Sequence, residues 1–278
     1  MITPLNISII TPSFNQDKYL EQTIISVLAQ DYLNYEYLVI DGGSDDDSTN
    51  ILKKYNSKIS YWISEIDMGQ TDAINKGLRK SSCEILNWLN SDDCFLPGAF
   101  EKIFNAFNDH PEADFIYGDI ELIDESGASL GRILYPQANL NILIYGGNLC
   151  AQPACFFRRR VIEKIGYLNQ ELDWSMDYEF WLRAANEKMV FYHMPEVLAQ
   201  FRLHSGSKSV SQHNLITQQF FESYWAHFGA DRPATNMDKL QYKLKKMFFR
   251  FYRLLLLAIT RKSFQPFSYK RALKKIST

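Results

Sequence analysis

The chain has 278 residues, 46% of them hydrophobic and 22% charged, a balance that excludes a disordered polymer and allows one large core or two small ones. No run of about 18 apolar residues marks a membrane span, and the opening MITPLNISIITPSF has no leader-like pattern. The net charge of −2 conceals a division: residues 238–278 carry 12 Lys and Arg against one Asp, and the rest carries 18 against 31. An acidic body and a basic tail call for different partners. Cys83, Cys94, Cys150 and Cys155 have neither the density of a disulfide scaffold nor paired metal-ligand spacing, so reduced structural thiols in a cytoplasmic protein are expected.

In chain order, NISIITPSF reads as a buried strand, and DKYLEQTIISVLAQ as a helix with Leu20, Ile24, Val27 and Leu28 on one face and Asp17 suited to cap it. YEYLVID is a second strand and GGSDDDSTNILKKY a turn opening a helix. ISYWISE is a third strand, MGQTDAINKGLRKS a helix ending near Gly77, and CEILNWL a fourth strand. This alternation predicts a mostly parallel sheet flanked by helices, with ligands bound beyond the carboxyl ends of the strands. Residues 11–15, 41–47, 65–69 and 90–93 all follow strands and should gather on one rim. Farther on, helices are expected over 98–110, 157–167, 176–187 and 211–228. A hairpin should turn at 125–127, and extended structure from 190 should break at Pro195.

No dinucleotide glycine fingerprint and no Walker loop follows any of these strands. The rim offers carboxylates instead: Asp41, Asp45, Asp46, Asp47, Asp67, Asp72, Asp92 and Asp93. Neighbouring carboxylates at the end of a buried strand, as in LNWLNSDDCF, repel each other unless a cation sits between them. A divalent ion there can bridge a diphosphate. Taken alone, Asp92-Asp93 reads equally as a turn with a helix cap, Asp45 to Asp47 as solvated turn residues, and Asp177 as a plain carboxylate in a first helical turn.

Three blocks together, ISIITPSFNQDKYLEQTIISVLAQDYLNYEYLVIDGGSDDDST, DMGQTDAINKGLRKSSCEILNWLNSDD and DWSMDYEFWLR, resemble the family 2 glycosyltransferases, inverting enzymes of GT-A type fold, over about residues 5–210. The resemblance implies a nucleoside-diphosphate-sugar donor, a divalent ion (Mn²⁺ or Mg²⁺) at the Asp-Asp strand end and a base on a later helix. It places Thr11, Pro12, Asn15 and Asp41 at the nucleoside, Asp92 at the ribose or sugar with Asn90 beside it, and Asp93 at the metal with His204. Asp67, Asp72, Asn75, Lys76 and Arg202 belong beside the diphosphate and sugar. Asp177 is the candidate base, with Trp181 and Gln152 toward the acceptor. Residues 1–232 would then form one domain, 1–95 binding the donor and 96–232 the acceptor, with 233–278 as a basic amphipathic helical tail.

The function the resemblance implies is inverting transfer of a sugar, UDP-linked by family preference, to a glycan or polyprenyl-linked glycan of the cell surface. A nucleotidyltransferase of related architecture is the alternative, although TPSFNQDKYL replaces the glycine-rich basic loop of those enzymes. A non-catalytic glycan-binding scaffold is another. For the tail, KLQYKLKKMFFRFYRLLLLAITRK fits a helix on the anionic inner face of the cytoplasmic membrane, through residues 239–275, or one packed on the body or another subunit. Nucleic acid is not an expected partner, because the acidic body repels phosphate.

Overall fold

The computed structural model describes residues 6–137, 140–145, 150–172, 175–207 and 213–261. The expected alternation is present as β1 (Ile7–Ser13), α1 (Asp17–Leu28), β2 (Tyr35–Asp41), α2 (Ser48–Lys54), β3 (Tyr61–Ser64), α3 (Gln70–Lys80) and β4 (Ile85–Trp88). The four strands pair in parallel in the order β3-β2-β1-β4, so their carboxyl ends share one rim. Every residue of β1 and β4 is buried, which explains their near-continuous apolar runs.

Two local expectations change. Asp17 does not cap α1; its own amide donates to Asp46 Oδ2 (2.9 Å), so the cap comes from the β2–α2 loop. Gly77 does not end α3 either. The helix runs on to Lys80, and a Cβ at residue 77 would lie 2.3 Å from Cγ2 of Ile10 on β1. Glycine is needed there because the helix axis lies so close to the sheet.

Beyond β4 follow β5 (Cys94–Phe95), α4 (Ala99–Asp109), β6 (Phe115–Ile123), β7 (Ser129–Ile133), α5 (Leu140–Tyr145), β8 (Cys155–Arg158), α6 (Arg159–Ile165), α7 (Met176–Asn186) and β9 (Phe191–Arg202). The sheet continues β4-β8-β6-β9-β5, with β7 on β6. β8 is antiparallel to both β4 and β6, and β6 is parallel to β9. The carboxyl ends of β6 and β9 therefore return to the rim where β4 ends. The hairpin turns as expected, with Gly127 at φ 87° and its amide donating to the Asp124 carbonyl (3.0 Å). The helix expected from 157 begins at Arg159, because Cys155–Arg158 is taken into the sheet. Pro195 does not break β9. The register slips between Tyr117↔His193 and Asp119↔Val197, and the proline, which has no ladder donor, sits in that bulge.

The main core sandwiches Trp88, Phe115, Phe157, Phe180 and Trp181 between the sheet and α7. A second cluster of Tyr145, Tyr178, Leu182 and Tyr242, with Phe220 and Tyr224 against it, joins α5 and α7 to α8 (His213–Phe228) and α9 (Asn236–Arg261). The tail is thus helical to Arg261 and packed on the body as far as Leu256; residues 262–278, and 211–212 before α8, lie outside the described residues.

Candidate active site

The turn after β4 is built from inside. Thr23, a polar residue on the apolar face of α1, donates its hydroxyl to the carbonyls of Ser91 (2.9 Å) and Asp93 (2.8 Å). This fixes the turn so that the two aspartates part. Asp93 is 1% exposed; one carboxylate oxygen accepts the Arg202 amide at 2.9 Å, and the other is enclosed without a partner. Burial first, and then the charge of Asp92, push the Asp93 carboxyl well above the usual range. Asp92 faces the rim, with Oδ2 3.0 Å from Nε2 of His204. The metal expectation fell on Asp93 with His204. Of the two aspartates it is Asp92 that lies against His204, because the β9 amide draws Asp93 inward.

His204 is held by the hydrogen bond from its amide to Ser207 Oγ (3.1 Å) and by the Tyr19 ring, centroid to centroid 4.8 Å. Arg202, expected beside the diphosphate, is 2% exposed. Its guanidinium donates to the carbonyls of Asp92 (2.9 Å), Asp124 (3.1 Å) and Glu125 (3.3 Å) and to Gln22 Oε1 (2.8 Å). It is a buried tie between α1, the acidic turn and the β6–β7 hairpin, with each of its three nitrogens already donating to the protein. A carboxylate oxygen and an imidazole nitrogen at this separation form a donor set suited to a divalent ion. Among the described residues no group of three His, Cys, Asp or Glu forms a closed metal site. An ion here would take its other ligands from a diphosphate or water.

On the nucleoside side, the loops after β1 and β2 are stitched together. The Asn15 amide donates to Ser44 Oγ (2.8 Å) and Asn15 Oδ1 accepts the Asp45 amide (3.0 Å), with Asn15 at φ 51°. Asp41 is fully buried and accepts from the Ser44 amide (2.9 Å), Ser44 Oγ (2.6 Å) and Ser64 Oγ (2.6 Å). Thr11 is buried and accepts from Tyr37. Pro12 lies in β1 against Ile40. Asp46 accepts the Ser48 amide (2.9 Å) as α2 opens, the turn role that its setting predicted.

Asp67 accepts the Gly69 amide (2.8 Å), and burial raises its carboxyl, with Asp72 and Asp41 adding to the effect. A Cβ on Gly42 would come within 2.8 Å of Asp67, so glycine makes room for that carboxylate. Asp72 accepts from the Met68 amide (3.2 Å) and Gln170 (2.9 Å) at the start of α3. Lys76 lies 2.9 Å from Glu65 and 3.5 Å from Asp72, with its side chain 29% exposed. Asn90 accepts from Gln70 (2.8 Å). Asn75 leaves the predicted set: it is 1% exposed, and its amide both donates to and accepts from the Leu168 backbone (2.9 and 3.1 Å).

Asp177 lies half-buried in the first turn of α7, with one oxygen accepting the Tyr178 amide (2.7 Å). Asn87 donates to the Cys155 carbonyl (2.9 Å), and the Cys155 thiol is raised by burial, then by Cys150 and by the charge of Asp177. Trp181 does not offer a platform for a sugar. It is 1% exposed and stacks on Trp88, centroids 5.6 Å apart at 20°. Gln152 is nearly enclosed and donates to the Trp88 carbonyl, its Oε1 without a partner. The sequence missed Tyr19, Gln22 and Thr23 as supports; only Thr23 carried a signal, a hydroxyl on the core face of a helix. Of the block DWSMDYEFWLR, residues 173–174 lie outside the described residues.

A curled mixed sheet with its acidic turn at the end of a parallel strand, and a carboxylate-bearing helix beside it, defines the class as GT-A type glycosyltransferases. S. aureus TarS 1–349, solved with UDP-GlcNAc, has this fold at a TM-score of 0.64 and 17% identity, over 92% of this chain and 76% of that one. The mannosyltransferase PcManGT from Pyrobaculum calidifontis, solved with GDP-Man and Mn²⁺, has it at 0.63 and 15%, over 99% and 80%. The chain belongs to glycosyl transferase family 2, whose model matches residues 8–166. An uncharacterized glycosyltransferase of Rickettsia felis is 35% identical over 260 residues, 86% of this chain and 41% of its own length. One of Rickettsia typhi is 31% identical over 235 residues, 80% of this chain and 71% of its own. The chain thus spans about two fifths of the length of the Rickettsia felis relative.

Proposed function

We propose that this glycosyltransferase works with inversion, moving a sugar from a UDP-linked donor to a hydroxyl of a glycan or polyprenyl-linked glycan in cell-surface polysaccharide assembly on the cytoplasmic side. The observation that carries the reading is the Asp92–His204 pair, 3.0 Å apart at the rim where β4 and β9 end. Both fold neighbours were solved with nucleotide sugars, one of them with Mn²⁺, which supports a metal-assisted donor site of this kind.

Asp92 and His204 would hold Mn²⁺ or Mg²⁺, which when bound supplies positive charge against the departing diphosphate. The stitched loops around Asn15 and Ser44, on the buried Asp41, shape the nucleoside end, and Asp67, Asp72 and Lys76 flank the sugar. Asp177 accepts the proton of the acceptor hydroxyl as that oxygen attacks the anomeric carbon from the face opposite the leaving group. A well-placed base of this kind contributes about 10²- to 10⁴-fold. Arg202 and Thr23 hold the acidic turn in place without touching substrate.

The test is a panel of UDP-, GDP- and dTDP-sugars screened for nucleotide release with and without Mn²⁺. Release from a UDP-sugar that needs the ion is expected. Binding of UDP with no release from any donor, acceptor extracts included, would favour the scaffold reading.

A further inference from the structure

The tail helix α9 has two apolar faces, and only one is used. Its inward face carries Tyr242, Phe249, Tyr252 and Leu256 against the body. Its outward face carries Leu240, Leu244, Met247, Phe251 and Leu254, spaced i, i+4, i+7, i+11 and i+14, with Phe248, Leu255 and Ile259 beside them. These are 47% to 68% exposed. Lys239, Lys243 and Arg250 are exposed and follow the same helical repeat along one flank of the stripe. The one acidic residue of the helix, Asp238, is already bound to Arg232 at 2.7 Å.

We infer that the outward face of α9 is a docking surface for an anionic lipid membrane, lying in the headgroup plane with its apolar stripe in the acyl boundary and its basic flank on the phosphates. The pairing of a continuous apolar stripe with a basic edge is the complement of such an interface. A second copy of α9 is a poor occupant, since each helix brings basic residues along its length and no unpaired acid to meet them. The acidic body of another copy would satisfy the charge but not the stripe. Among the described residues its large exposed apolar side chains form no stripe of that length: Ile66 and Met68 stand together between β3 and α3, and Phe14, Ile25, Leu33 and Val190 lie on other segments. No described helix is long and apolar enough to cross a membrane, so α9 would lie on the bilayer rather than span it.

The experiment uses the full chain in flotation assays with vesicles of phosphatidylcholine alone or mixed with phosphatidylglycerol. It needs no sugar donor, so its failure would leave the transfer reading standing. Binding at least about tenfold stronger to the anionic vesicles, weakening with salt, is expected. Phe251→Glu and Met247→Glu, at positions 68% and 66% exposed, should each cut it about tenfold or more without changing donor hydrolysis in the absence of vesicles. Lys239→Glu with Lys243→Glu should remove most of the salt dependence. Equal binding to both vesicle types, no binding, or unchanged binding by Phe251→Glu would overturn the inference. So would light scattering that shows a wild-type dimer and a Phe251→Glu monomer, which would assign the face to a second copy.

Discussion

At the scale of single residues, the site turns on how two adjacent aspartates divide. In the sequence Asp92 and Asp93 look alike. What separates them is the amide of Arg202, which is 109 residues away and takes the Asp93 carboxylate inward. No local pattern encodes that, and the same long-range packing moved Trp181 and Asn75 out of the predicted set. The burial of Asp93 has a pH signature. Its folded carboxyl sits well above the ordinary value, so the native state holds the proton longer than the unfolded chain and loses stability as pH rises through the ordinary carboxylate range toward the raised value. Asp93→Asn should therefore gain on wild type in melting temperature between about pH 4 and pH 7; a gap that is constant with pH would contradict the burial argument. Arg202→Lys keeps a positive charge but not the planar fork. It should cost roughly 2–4 kcal/mol in urea unfolding, whereas a loss under about 0.5 kcal/mol would match an ordinary surface arginine.

At the scale of elements, the strands and helices of the first 90 residues were legible because a parallel sheet buried on both faces imposes apolar runs of strand length between helical repeats. The later elements were harder. β5 is two residues long, too short for periodicity to register, and β8 runs directly into α6 with no turn residue to mark the boundary. Gly77 and Pro195 read as terminators and proved to be a close approach and a bulge, both set by a partner element. Gly77→Ala tests the first: helix propensity gains at most about 1 kcal/mol, but the new methyl meets Ile10 in the core, so a net loss of about 1–2 kcal/mol is expected. A stabilised variant would show that α3 can shift off β1. The α7–α8 contact is also testable. Burial pushes the Glu179 carboxyl up, but hydrogen bonds from His227 (3.0 Å) and Arg183 (2.7 Å) outweigh it and hold it below its usual value. Its stabilisation is thus present above the ordinary carboxylate value and lost as pH falls through the lowered one. Glu179→Gln should lower the melting temperature near pH 7 and converge with wild type in strong acid; equal gaps at both would show that the charge is irrelevant there.

At the scale of the whole molecule, the division of charge between body and tail was plain from composition, and so was the gathering of strand ends on one rim. Which face α9 turns outward was not, because both of its faces are apolar and only the packing of Tyr242 and Phe249 on the body chooses between them. In the function proposed, donor and acceptor chemistry lie on opposite sides of the site, with Asp92 and His204 beyond the ends of β4 and β9 to hold the ion and Asp177 on α7 as the base. Calorimetric titration of UDP with Mn²⁺ into wild type, Asp92→Asn and Asp177→Asn, alongside turnover of the donor identified in the panel, tests that division most directly. Asp92→Asn should lose about tenfold or more in UDP affinity, while Asp177→Asn should bind as wild type and lose about 10²- to 10⁴-fold in turnover. Wild-type affinity in Asp92→Asn, or an equal loss of affinity in both variants, would contradict it.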